Sequence, residues 1–206
     1  MSETQAKATG RKPRADAVRN RERVLEAAKH VFSSGGPDAS LETVAREAGV
    51  GIGTLYRHFP TRQDLFAAVY RREVQQLSDL SDNLMTVEPP AEALRRWLHS
   101  NVAFVATKKG MSAALALAVD SSSELTTSSV ARLTQAVGQL LDRAVAAGEI
   151  RGDIGAEDIL RAMVGMCYFH DRPGWQESVL RMLDVFVDGL RRPQSSSSGS
   201  ARERSR

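Results

Sequence analysis

SLETVAREAGVGIGTLYRHFPTR, residues Ser40 to Arg62, is the stretch on which the fold turns. Its first half places Leu41, Val44, Ala45 and Ala48 at i, i+3, i+4 and i+7, the spacing that gathers apolar side chains on one helical face. Ser40 suits an N-cap, and Glu42 sets a negative charge against the positive end of the helix dipole. Gly49 follows the last apolar residue and can take the left-handed conformation that ends a helix sharply. Val50 is the apolar residue of the turn. A second short helix carries Leu55 and Phe59 on its inner side, and Pro60, which has no N–H to donate, stops it. Two short helices joined by a tight glycine turn predict a helix-turn-helix, a motif whose second helix enters a DNA major groove.

The remaining residues of the second helix suit that task. Gly51 and Gly53 remove side chains at its start, so backbone can come close to a phosphate. Thr54, Tyr56, Arg57 and His58 project away from the Leu55/Phe59 face and supply hydroxyls, a cation and an imidazole, groups that bond base edges and phosphates. Arg62 lies just beyond Pro60, at the start of the next helix. The alternative is a small core segment with a solvated face.

The flanks extend the pattern. Val24-Leu25-Glu26-Ala27-Ala28-Lys29-His30-Val31-Phe32 is followed by Gly35-Gly36, then by Val44-Ala45-Arg46-Glu47-Ala48-Gly49-Val50. Gly53-Thr54-Leu55-Tyr56-Arg57-His58-Phe59 and Arg62-Gln63-Asp64-Leu65-Phe66 complete it. From about Arg21 to Tyr70 these ordered pieces resemble the TetR-type transcriptional regulators. Many family members have lysine at the place of Arg62, and Ile52 stands where a polar or basic residue is common.

The totals agree with a helical, DNA-binding chain. At 206 residues it can bury a real core as one or two small domains. Few aromatics and much alanine, leucine and valine suit an all-α protein. A net charge of +3 permits nucleic-acid binding without demanding it. The single cysteine, Cys167, rules out an intramolecular disulfide and points to the cytoplasm. No apolar run reaches membrane-spanning length and no signal peptide is visible.

Taken in order, residues 1–15 read as a disordered arm, basic toward its end, that could follow DNA or simply solubilise the chain. Residues 16–84 read as the DNA-binding domain. It comprises a first helix over 16–34, the helix-turn-helix over about 41–60, and a long helix over 62–84 with Thr61 as N-cap and Asp64 three residues on. Pro89-Pro90 marks the domain change. Residues 90–192 read as further helices, over about 91–107, 111–120, 123–147, 156–169 and up to 191, and residues 193–206 as a disordered, serine-rich tail. No strand or repeat is expected. Through Gly110-Met111 and Gly148-Glu149-Ile150-Arg151 this half resembles the SbtR-like subgroup.

Other chemistries fit poorly. His170-Asp171-Arg172 is a dense polar cluster, but no nucleophile is placed beside it, so no catalytic residue is assigned and the chain is not expected to be an enzyme. The four histidines are far apart, and Cys167 with His170 gives two ligands at most, so no metal site is assigned. Gly51-Ile52-Gly53 follows no strand and lacks the third glycine of a dinucleotide fingerprint. No cofactor is expected.

The resemblance implies a homodimeric repressor that holds a palindromic, double-stranded operator. Its two recognition helices would sit about 34 Å apart. On that reading Thr43, Tyr56, His58 and Arg62 bind phosphates, Gly53 admits backbone, and Thr54 and Arg57 meet base edges. It further implies a pocket for a small apolar effector in the second half. The expected lining is Trp97, Phe104, Met111 and Leu115, with Met163, Met166, Cys167 and Tyr168, although the same residues could fill a closed core. The last two helices of each subunit would form a four-helix interface through Val179, Leu183, Phe186 and Leu190. The alternative is a ligand-independent regulator whose second half only dimerises or binds a protein partner.

Overall fold

The computed structural model describes residues 12–35, 39–115, 124–169 and 174–192; the side chains at 12–14, 35 and 112–115 lie outside that description. The described residues form α1 (Lys12–Gly35), α2 (Leu41–Ala48), α3 (Ile52–His58), α4 (Arg62–Val87), α5 (Pro90–Leu115), α6 (Glu124–Ala146), α7 (Ala156–Tyr168) and α8 (Trp175–Leu190). No strand occurs among them, only an isolated antiparallel bridge between Ile150 and Arg191. The fold is all-α, as the composition and periodicity predict.

The helix boundaries near the central stretch follow local chemistry. The Ser40 hydroxyl accepts from the Thr43 N–H at 3.1 Å, and Gly49 sits at φ 63°, ψ 38°, where a side chain would be strained. Thr61 and Asp64 form a reciprocal capping box at the start of α4. Leu41, Val44, Ala45 and Ala48 are all buried, as are Leu55 and Phe59. They meet Val24, Leu25, Ala28 and Phe32 of α1 to give a three-helix head. Phe32 packs edge-on against Phe66 of α4, with centroids 4.5 Å apart.

α4 continues from this head into the body. There it packs against α5 and α6, and α5 in turn meets α1, α7 and α8. The Trp97 indole N–H, fully buried on α5, donates to the Leu77 carbonyl of α4 at 2.8 Å. Arg143 of α6 donates to the Leu84 and Glu88 carbonyls at 3.3 and 2.7 Å, satisfying the end of α4. Glu149 accepts from the Ala91 N–H at 2.9 Å and so caps the first turn of α5. Backbone bonds from Arg151 N to Leu190 O and from Arg192 N to Glu149 O tie the same segment to the end of α8.

Three boundaries differ from the sequence reading. α1 begins at Lys12, so residues 12–15 belong to a helix rather than to an arm. α4 runs three residues further, to Val87. α5 is one unbroken helix through Gly110, where two helices were expected. The reason is tertiary. A Cβ added at Gly110 would overlap the Phe32 carbonyl oxygen and lie 2.8 Å from its carbon. Glycine here lets α5 press its backbone against the end of α1 without breaking. The rest of the expected arm, the 116–123 segment, the His170-Asp171-Arg172 cluster and the serine-rich tail fall outside the described residues.

Gly110→Ala should therefore destabilise the protein by about 1–3 kcal/mol through overpacking. Gly138→Ala, at a helical site whose nearest neighbour to an added Cβ is 3.7 Å away, should be neutral or stabilising by up to about 1 kcal/mol. Urea denaturation of the two variants checks the contrast; equal effects would mean that the α1–α5 contact is not tight.

Candidate functional site

α3 is seven residues long and packs inward through Leu55, which is fully buried, with Phe59 at its C-terminal cap nearly so. Its outer side is open. Tyr56 and Arg57 are exposed, with Tyr56 at 44 %, and Thr54 and His58 are half-buried. Arg57 folds back along its own helix, donating to the Gly53 carbonyl and to the Thr54 hydroxyl at 3.1 Å each. Thr43 lies in the first turn of α2, its hydroxyl 3.1 Å from that of Ser40 and within reach of Arg46. Arg62 does not stand free at the surface. Its guanidinium lies over the Phe32 and Phe66 rings, 5.7 and 5.0 Å from their centroids.

The glycines at the start of α3 are informative in another way. A Cβ built on Gly51 or Gly53 meets nothing within 4 Å, and neither residue has a positive φ. Nothing inside the protein demands glycine there. Thr54 and Leu55 donate their N–H groups to the Gly51 carbonyl, at 2.8 and 3.2 Å, and the first turn of α3 turns its positive dipole end to an open surface.

The body holds a cleft of ≈ 440 Å³ between α4, α5, α6 and α7. Of the residues expected to line a pocket, Phe104, Met163 and Tyr168 do so. Trp97 and Met111 do not line it; both are buried in the core, and Trp97 serves the α4–α5 contact. Met166 is half-buried outside the lining, and the Leu115 side chain lies outside the described set. Cys167 is also core. Its Sγ is 3.9 Å from the Met163 Sδ, and burial pushes its thiol up to about 11. That leaves it neutral and a poor ligand for metal. Among the described residues no three His, Cys, Asp or Glu side chains gather as a metal site would need.

Sequence reasoning missed the polar wall of this cleft. Asn101, Phe104, Val105 and Lys108 of α5 all line it, and Tyr70 of α4 closes one side. Their i, i+3, i+4, i+7 spacing was the available signal, disguised because two of the four are polar. The Tyr70 and Phe104 rings lie 5.3 Å apart, and burial raises the Tyr70 phenol above its ordinary value.

Three of the residues expected at a dimer interface are instead inside the subunit. Val179, Leu183 and Leu190 are 6 %, 0 % and 3 % exposed, and only Phe186 is half-buried. The apolar period of α8 therefore marked its inner face. Its outer face carries Met182 and Val185, 52 % and 65 % exposed.

A capped helix-turn-helix that opens its second helix to solvent defines a DNA-binding head. The comparisons make the class specific. The family model "Bacterial regulatory proteins, tetR family" matches residues 24–69, and "Transcriptional regulator SbtR-like, C-terminal domain" matches 89–192. The crystal structure of the TetR transcriptional regulator SCO0520 from Streptomyces coelicolor is 44 % identical, with a TM-score of 0.76 over 85 % of this chain and 99 % of that one. The TetR transcription regulatory protein from Mycobacterium vanbaalenii is 34 % identical, with a TM-score of 0.70 over 87 % and 99 %. HTH-type transcriptional regulator SAB2452 of Staphylococcus aureus is 42 % identical over 62 residues, which cover 30 % of this chain and about a third of that protein (34 %). The chain belongs to the TetR family of DNA-binding transcriptional regulators, with an SbtR-like C-terminal domain. Regulators of this family are not enzymes. Among the described residues no helix is long and apolar enough to cross a membrane.

If the open start of α3 is where backbone meets phosphate, Gly53→Ala should separate stability from binding. The added methyl has room and favours helix, so the fold should gain about 0.5–1 kcal/mol. DNA affinity should fall about tenfold or more, the worth of a charge-assisted hydrogen bond. Thermal melts and DNA titrations at fixed salt check both; unchanged affinity would remove phosphate from this position.

Proposed function

We propose that the protein is a homodimeric repressor that places α3 of each subunit in successive major grooves of a palindromic operator and is released by a small molecule bound in the body cleft. The observation that carries the release mechanism is Tyr70. It walls the cleft, yet it belongs to the same unbroken helix that begins at Arg62 beside the recognition helix. One turn before it, Phe66 packs on Phe32 of the head. A ligand that displaces Tyr70 acts directly on the helix that aims α3. It can release DNA only by as much as it prefers the displaced arrangement.

Dimerisation is assigned to the outward faces of α7 and α8. Met182 and Val185 are exposed apolar residues on one helix, and Phe186 lies at their edge. Val164 and Tyr168 of α7, also exposed, line the cleft instead. Exposed apolar surface of the kind on α8 is the mark of an interface.

On the DNA side, Tyr56, His58 and Thr43 are assigned to phosphates and Thr54 and Arg57 to base edges. Arg62 is assigned to a phosphate at the margin, with its guanidinium anchored over aromatic rings. Arg57 must exchange its bonds to Gly53 and Thr54 for a base, so its contribution is a difference between two bonded states. The test is binding of purified protein to the DNA flanking its own gene, against random DNA of equal length at one salt concentration. Preference for the flanking DNA is expected. Tyr56→Ala should weaken binding to all sequences alike, whereas Arg57→Ala should also relax preference at one base position by about 1–3 kcal/mol. Equal losses on both DNAs from both variants would overturn the division of roles.

A further inference from the structure

One wall of the cleft holds a cation without a counter-charge. The half-buried Lys108 of α5 lines it beside Tyr70. Its Nζ lies 6.0 Å from the centre of the Tyr70 ring, and no carboxylate among the described residues pairs with it. Burial lowers the Lys108 pKa, the response of a cation deprived of water without a counter-charge. Around it, Phe104, Leu133, Leu160 and Met163 are apolar. The other charges on the cleft stand at its exposed rim: Glu157, and Arg161, which is already paired with Asp158 at 2.9 Å.

We propose that the effector is an apolar small molecule with a single carboxylate head, the carboxylate accepting from Lys108 Nζ while its hydrocarbon part fills the cleft. This rests on the reading of the cleft as the effector site. An uncompensated cation beside an apolar cavity calls for a guest that carries one negative charge and is otherwise apolar. The rim carboxylate of Glu157 disfavours a second acid group at the other end of the guest. A volume of ≈ 440 Å³ holds a medium-length chain or a compact ring system. The head group would sit against Tyr70, so the charge that gives affinity would also touch the helix that carries the signal.

Calorimetric titration of the full chain with octanoate and decanoate, each beside the alcohol of equal length, tests this. The acids should bind about tenfold or more tightly than the alcohols. Lys108→Met keeps length and apolar contact but removes the charge. It should weaken the acids about ten- to hundredfold and leave the alcohols within about twofold, and Lys108→Arg should retain the preference. Lys108 is only half-buried, so its variants should fold. Alcohols that bind as well as acids, or a Lys108→Met loss equal for both, would overturn the head-group assignment and leave the effector cleft standing. Binding of neither acids nor alcohols would overturn the effector reading, and this inference with it.

Discussion

Everything in this molecule depends on the continuity of α4. Its 26 residues contain neither glycine nor proline, the residues at which helices bend sharply. At one end it completes the head through Leu65, Phe66 and Val69; further along it is a wall of the body through Val74, Leu77 and Leu84. A helix buried in two cores cannot shift in one without shifting in the other. Its register is fixed by directed bonds as well as by packing. Trp97 donates to Leu77, Arg143 closes the C-terminal end, and Lys29 of α1 pairs with Glu73 at 2.7 Å where Glu73 is 4 % exposed. Such a buried pair adds little net stability, but it penalises any arrangement that separates the two charges.

α1 provides a second route between head and body. Arg72 of α4 reaches Glu22 and Glu26 of α1, and the end of α1 rests on α5 at Gly110. The helix that carries Asn101 and Lys108 therefore touches the head directly, a few residues beyond the cleft. Close-packed contacts of this sort do not compress gradually. A guest that moves α5 must either be refused or force the head to a different seating, which is the property a two-state regulator needs.

How much of this was legible in the chain depends on how far each signal reaches. Ser40, Gly49, Thr61 and Asp64 act on backbone three or four residues away, so the helix-turn-helix could be read from them directly. The continuity of α5 could not, because what favours glycine at position 110 is the Phe32 carbonyl, 78 residues earlier in the chain. Periodicity found the inner faces of α7 and α8 and, for that reason, offered core residues such as Leu183 and Cys167 in place of surface ones. The outward residues of α8 are fewer and read as noise beside the stronger stripe. The cleft was half legible: Phe104, Met163 and Tyr168 are large and apolar, but Asn101 and Lys108 have the composition of a solvated face until the neighbouring helices are in place.

The size of α3 explains why the geometry of the whole must be the controlled quantity. Seven residues offer only a handful of side chains to the bases, so one head alone cannot supply the specificity that an operator demands. In the proposed dimer the second head adds its contacts only where the spacing matches the helical repeat. A helix of 26 residues is ~39 Å long. Pivoting by about 5° about its body end, it would move its capped end, and the head with it, by roughly 3.4 Å, the rise of one base pair. In the proposed mechanism a tilt of that size takes one head out of register, and the protein then loses the second set of contacts without unfolding any part of the first.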